Sequence, residues 1–173
     1  MTSSSRTSSG QRFAADELRT HVRGDDPTAV EGLVRQSEIF NEAEIAIARE
    51  LVDENLAKGE AASGYYFLFA DGTDGIEGYS CFGPVPGAHR RFELYWIAVH
   101  PRARRHGLGR RLQRATEDAV KSMGGLYLVA ETSTLPAYAA ARDFYLTGGF
   151  TLIAEVPDWH DDGDGMAIFR KPL

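Results

Sequence analysis

The sequence predicts a mixed α/β (α+β) domain, with a sheet of about six to seven strands flanked by about four helices. Three observations carry that expectation. Short apolar runs of strand length alternate along the chain with segments of helical period. Gly- and Pro-bearing turn signals separate them. The chain has 173 residues, 43% hydrophobic and 25% charged, which suits a single globular domain of ~100–200 residues.

Residues 1–12 are polar, Ser/Thr-rich and without periodicity. They are expected to form a disordered tail, which leaves 13–173 as one domain. Leu18–Arg23 alternates like a first strand. Gly24-Asp25-Asp26-Pro27 is turn chemistry, with Pro27 suited to the first turn of a helix over 28–37. Asn41 and Glu44 have the capping-box spacing, and Ile45, Ala48, Leu51, Val52 and Leu56 give the second helix its apolar stripe, ended by Gly59.

Three strand-like runs follow: Gly64–Ala70, Ile76–Phe82 across an Asp71–Gly75 hairpin turn, and Phe92–Val99. A helix starts near Gly107 and carries Leu108, Leu112, Ala115, Ala119, Val120 and Met123 on one side; Gly124-Gly125 stops it. Leu126–Ala130 reads as a strand and Pro136–Thr147 as a helix. Phe150–Val156 and Met166–Arg170 read as two last strands around an acidic loop.

Composition narrows the function classes. The net charge of −6, from 25 acidic and 19 basic residues, argues against a general nucleic-acid binder. The single cysteine, Cys81, precludes an internal disulfide framework and fits a reducing compartment. No run approaches the ~20 apolar residues that span a bilayer, and the Ser-rich start has no apolar signal core. A cytoplasmic protein without membrane or nucleic-acid partners is expected. The charge is unevenly distributed: six arginines and no acid lie between His100 and Arg114, and five acids without Lys or Arg lie between Glu155 and Asp164.

Arg104-Arg105-His106-Gly107-Leu108-Gly109 follows an apolar strand and opens a helix. Helix N-termini present unpaired N–H groups and about +0.5 charge, which binds phosphate. Glycines let the backbone approach the oxygens, and arginines add charge-assisted bonds. The blander alternative is a tight strand-to-helix turn with a solvated basic face. There is no G-x-x-x-x-G-K-[ST], and Leu112 stands where a dinucleotide fingerprint needs glycine.

The stretch Val99-His100-Pro101…Arg104-x-x-Gly107-x-Gly109 resembles the [RQ]-x-x-G-x-[GA] signature of the GNAT superfamily of N-acetyltransferases. The element order from Leu18 to Arg170 is similar as well, which implies the mixed, mostly antiparallel GNAT sheet. A second match is Ala141-x-x-x-Tyr145-x-x-x-Gly149-Phe150, the family's A-x-x-x-Y-x-x-x-G-F. The resemblance implies acetyl-CoA as cosubstrate. Its pyrophosphate would lie on Arg104, Arg105, His106, Gly107, Leu108, Gly109 and Arg110, and its pantetheine along Ile97, Ala98 and Val99. Tyr145 would protonate the departing thiolate, a task open to a phenol of pKa about 10. Where many members carry an Asn seven residues before that tyrosine, this chain has Tyr138, which would take over its contact.

An attacking amine must first lose a proton. Glu93 lies on the same predicted strand face as Tyr95 and Ile97, inside the apolar FELYWIAV, at the offset where histone-type relatives place a base. Burial would raise its pKa usefully. Glu131 and a water chain are the alternatives, and an edge Glu paired with Arg90 or Arg91 is the structural one. Trp159 and Asp161 in the acidic loop, with Glu131, are candidate substrate contacts for a cationic amine. No calcium loop is expected, because His160 and Lys171 stand at its first and last ligand positions.

The resulting expectation is acetyl transfer to a primary amine of a small molecule, such as an amino acid, polyamine or antibiotic-like amine. A homodimer is compatible with it. A protein N-terminal or lysine acetyltransferase is the rival within the class. A non-catalytic acyl-CoA sensor, and more distantly an RNA-binding basic loop, are the rivals outside it.

Overall fold

The computed structural model describes residues 18–173. The expected tail at 1–12 lies outside them. The expected first strand contracts to one antiparallel bridge, Arg19 with Phe69. Its shortness has a cause: the Arg19 guanidinium spans Asp26 at 2.7 Å and Asp71 at 2.8 Å and lies 4.2 Å over the Phe69 ring. Asp26 already belongs to the first helix, α1 (Asp26–Arg35), so the chain turns away from the sheet at once.

The second helix, α2 (Glu42–Lys58), begins with the expected capping box: Glu44 N–H donates to Asn41 Oδ1 at 2.9 Å, and Asn41 N–H donates to Glu44 Oε2 at 2.8 Å. A short helix absent from the expectation, α3 (Glu60–Ser63), follows. The strands are β1 (Tyr66–Gly72), β2 (Gly75–Pro84) and β3 (Arg91–Val99); then come α4 (Leu108–Ser122), β4 (Tyr127–Ser133), α5 (Ala139–Thr147), β5 (Thr151–Asp161) and β6 (Asp164–Pro172). The expected acidic loop is therefore strand, turning at Asp162 and Gly163.

The sheet order is β1-β2-β3-β4-β6-β5, antiparallel throughout except for the parallel β3–β4 pair. One face is covered by α1 and α2, through Val30, Val34, Ile45 and Val52 packed on Phe67, Phe69, Tyr79 and Cys81. The other face is covered by α4 and α5, through Leu112, Val120 and Tyr145 packed on Phe82, Leu94, Leu128 and Phe169. This is the mixed, mostly antiparallel architecture expected.

Two irregularities prepare the site. Pairing of β2 with β3 slips between Cys81 and Phe82, so that Cys81 faces Trp96, Phe82 faces Leu94, and Tyr95 is the extra residue. A bulge shifts the side-chain alternation by one. Glu93 and Tyr95 therefore share the α1–α2 face with Trp96 and Ala98, while Ile97 and Val99 pack on the α4 side. The expected shared face of Glu93 and Ile97 is corrected by this bulge. In addition, β3 and β4 pair only from Arg91–Glu93 to Tyr127–Val129. Beyond those residues the two strands run unpaired to Val99 and Ser133, which opens a wedge in the middle of the sheet.

Candidate active site

The wedge has a built N-terminal anchor. Gly107, the residue capping α4, is left-handed at φ 78° and has no side-chain cap; Arg105 is left-handed as well, at φ 64°. Alternation of left-handed and ordinary residues turns successive N–H groups into one concavity suited to an anion. The first intrahelical bond of α4 runs from Arg111 N–H to Gly107 C=O, so the amides of Leu108, Gly109 and Arg110 precede the ladder. Gly109 packs closely: a Cβ there would meet Phe144 Cε2 at 3.2 Å and Val99 Cγ2 at 3.7 Å, so a side chain would need the ring to shift by a few tenths of an ångström. Backbone and charge thus fit the pyrophosphate of acetyl-CoA.

The arginines divide their tasks more than their clustering suggests. Arg104 and Arg105 are exposed beside the anchor, and Arg104 Nε donates to Val99 O at 3.3 Å. His106 is exposed on the same turn, and Leu108 is half-buried against the α4-side core. Arg102 pairs with Asp74 at 3.6 Å. The Arg110 guanidinium, expected on the cofactor, instead lies 4.1 Å over the Phe144 ring and donates to Phe144 O at 2.7 Å. Its Nη donors are thus directed at α5 and Gln113, while its backbone N–H precedes the α4 ladder.

Along the wedge, His100 N–H donates to Glu77 O at 2.8 Å. Amide direction alternates along a strand, so Ala98 N–H also faces β2, and the amides of Ile97 and Val99 face the wedge. The amides of Ile97 and Val99 are therefore open to the wedge, whereas Ala98 turns its amide to β2 and its side chain to the α1–α2 core.

Glu93 stands where the wedge begins, opposite Gly83 on β2 and Val129 on β4. Its carboxyl is pushed up to about 7, by burial first and by the charge of Glu131 second. Glu131 lies two residues beyond Val129 and so shares this face; it is solvent-exposed. Gly83, opposite Glu93, lets the Gly64 carbonyl approach the strand closely: a Cβ there would run into that oxygen and meet Tyr95 Cε2 at 3.2 Å.

Tyr145 belongs to the core of the opposite face, with ring centroids 5.4 Å from both Phe150 and Phe169. Burial, and after it the Glu93 charge, holds its phenol well above the usual value. Glu93 and Tyr145 thus lie on opposite faces of one sheet, both with raised pKa values, and the charge of Glu93 contributes to the shift of Tyr145.

Tyr138 is not placed as expected. Its O–H donates to Glu44 Oε1 at 2.9 Å, and its ring meets Phe40 at 6.0 Å; Phe40 in turn packs on Trp96 at 4.8 Å. It ties the start of α5 to the loop between α1 and α2, so the pantetheine contact carried over from the family's Asn is corrected to this bridge. Trp159, 60% exposed, and Asp161 lie towards the tip of the β5–β6 hairpin, where Asp158 is left-handed at φ 49°. Among the described residues no hydrogen bond or ring contact joins them to Glu93. Trp96, Phe40 and Gly83 carry no local sequence signal for this site, and Glu44 carries only that of a helix cap. No helix among the described residues is long and apolar enough to cross a membrane.

Comparison with known proteins identifies the family and agrees with the fold. The profile of the acetyltransferase (GNAT) family matches residues 33–150. A GNAT-family protein from Desulfovibrio desulfuricans is 38% identical, with a TM-score of 0.87 over 90% of this chain and 98% of its own. An aminoglycoside 6'-N-acetyltransferase solved with coenzyme A shares the fold at 17% identity and a TM-score of 0.69, covering 90% and 96% of the two chains. The ribosomal-protein-S18-alanine N-acetyltransferase of Escherichia coli does so at 21% identity and 0.69, covering 91% and 93%. No curated protein matches the sequence.

Proposed function

This chain belongs to the GNAT family of acetyl-CoA-dependent N-acetyltransferases, and we propose that its acceptor is a primary amine of a small molecule. The observation that carries the reading is Glu93 at the start of the β3–β4 wedge, its carboxyl pushed up to about 7 by burial, with the phenol of Tyr145 held protonated by burial in the core of the other face. The choice of a small molecule over a peptide is supported by the Tyr138–Glu44 bond and the Phe40–Trp96 contact, which cover the α1–α2 side of the wedge where an extended chain would need a groove.

Acetyl-CoA supplies an acetyl thioester. Glu93 accepts a proton from the ammonium of the acceptor and leaves a neutral nitrogen to attack the carbonyl carbon. The amides of Ile97 and Val99 face the wedge and stabilise the developing oxyanion. As the new C–N bond forms and the C–S bond breaks, Tyr145 donates its O–H proton to the sulfur. Glu93 then returns its proton through water, restoring the phenol, and the nitrogen releases its second proton to solvent as the neutral amide forms, so that one ammonium and one thioester give one amide, one thiol and one proton. The backbone at Gly107–Arg110, with Arg104 and Arg105, holds the pyrophosphate, and holding both reactants supplies much of the rate. Glu131 adds a second carboxylate for a cationic acceptor. Trp159 and Asp161 are candidate contacts for its distal part.

The test is thiol release from acetyl-CoA across a panel of amino acids, polyamines and aminoglycosides, set beside N-terminal and lysine peptides. Release with a small amine supports the reading. Release with peptides alone favours the protein-acetylating alternative. Tight CoA binding without release from any acceptor favours the sensor. Tyr145→Phe is expected to lower kcat about 10²-fold with CoA affinity unchanged.

A further inference from the structure

We propose that Arg110, Gln113 and Lys171 are positioning residues that hold Tyr145 by clamping the C-terminal carbonyls of α5; the proposal rests on the reading of Tyr145 as proton donor. α5 has only nine residues, and a helix that short has little stability of its own in water. Tyr145 sits one turn from its end. Its carbonyl accepts from Phe150 N–H at 3.1 Å, and Leu146 O accepts from Gly149 N–H at 3.2 Å, a Schellman ending with Gly149 left-handed at φ 88°.

The carbonyls around Tyr145 go to side chains of other elements. Arg110 Nη2, from the first turn of α4, donates to Phe144 O at 2.7 Å and Thr147 Oγ1 at 2.5 Å. Gln113 Nε2 donates to Gly148 O at 2.9 Å, and Lys171 Nζ, from β6, donates to the same oxygen at 2.9 Å. Gln113 and Lys171 are themselves fixed by Glu117 Oε1, each at 2.6 Å. Gln113 is 2% exposed and Glu117 7%, so these bonds act in a dry, low-dielectric setting. The fit is interlocked: a Cβ on Gly148 would run into Arg110 Nη1 and lie 2.5 Å from Gln113 Oε1.

Cations at a helix C-terminus also complement its dipole. Arg110 also stands at a second place, because its backbone N–H lies in the anchor at the start of α4. The residue whose amide faces the pyrophosphate thus holds, by its side chain, the helix that carries the acid. Productive geometry tolerates displacements of only about 0.5 Å, so loosening the clamp is expected to lower kcat while leaving acetyl-CoA affinity nearly intact.

The experiment is a double-mutant cycle. Arg110→Met and Lys171→Met are each made in the wild-type chain and in Tyr145→Phe, with kcat, acetyl-CoA Kd and Tm measured for all. Lys171→Met leaves Glu117 buried without its cation and risks misfolding; Arg110→Met and the conservative Lys171→Arg keep the test decisive. We expect each methionine variant to lower kcat about tenfold in the wild-type chain and less than about twofold in Tyr145→Phe, as coupled sites do. Lys171→Arg should recover most of the loss. Equal losses in both backgrounds, or none in the wild-type chain, would overturn the positioning role while leaving Tyr145 as donor. Full activity of Tyr145→Phe itself would overturn the donor reading, and the clamp's role with it.

Discussion

Glu93 carries the sharpest expectation about pH. A carboxyl titrating at about 7 is protonated below neutrality and cannot then take a proton from an ammonium. kcat/KM should therefore climb about tenfold per pH unit up to neutrality and level off above it. Glu93→Gln should remove that limb and lower kcat/KM about 10²–10⁴-fold; a limb that survives the substitution assigns the base to Glu131 or water. Stability follows the opposite course. The folded pKa lies above the ordinary value of 4.5, so the carboxyl favours folding below that value, and the favour is lost as pH rises through about 7. Glutamine never ionises. Glu93→Gln should accordingly gain Tm relative to wild type between pH 5 and pH 8, and a flat difference across that range would refute the burial of this charge. Tyr145, held protonated by burial, should add no alkaline limb in the working range. Cys81, buried with its thiol pushed well above the usual value, should resist thiol reagents until the chain unfolds.

Local chemistry explains why some elements were legible. The capping box at Asn41 needs only two side chains four positions wide, and it forms as expected. The spacing of Tyr145, Gly149 and Phe150 is the geometry of a helix ending, with the Tyr145 and Phe150 rings in contact at 5.4 Å. The bulge at Tyr95 was not legible, because it exists only where β2 and β3 slip past each other. That slip placed Ile97 on the opposite face from the one expected. Tyr138 was misplaced for a similar reason: its partner, Glu44, lies 94 positions away. The same strand pair supplies a test. Gly83→Ala would drive a methyl into the Gly64 carbonyl, so a destabilisation of about 1–3 kcal/mol is expected. Glu93 activity should fall with it, measured by urea denaturation beside turnover. A neutral Gly83→Ala would show that Gly64 does not approach this strand.

The molecule as a whole separates its charges differently from what the totals suggest. The run from Arg102 to Arg114 reads as one basic patch, yet the folded chain gives Arg102 to Asp74 and Arg110 to α5. The exposed Arg104 and Arg105 remain beside the helix start. Their attraction for phosphate is screened at a Debye length of about 10 Å in 0.1 M salt. The acetyl-CoA KM should therefore rise several-fold from low to high salt while kcat holds; a salt-insensitive KM would leave the backbone anchor as the sole phosphate contact.

The proposed base and acid lie on opposite faces of the sheet, and β3 and β4 part after three paired residues between those faces. The order of elements, the helix caps and the glycine-bearing loop are written in contacts a few residues apart, and they could be read along the chain. The face on which Glu93 lies, the opening beside it and the clamp on α5 depend on strand registers and on partners dozens of residues away. Only the folded sheet brings those together.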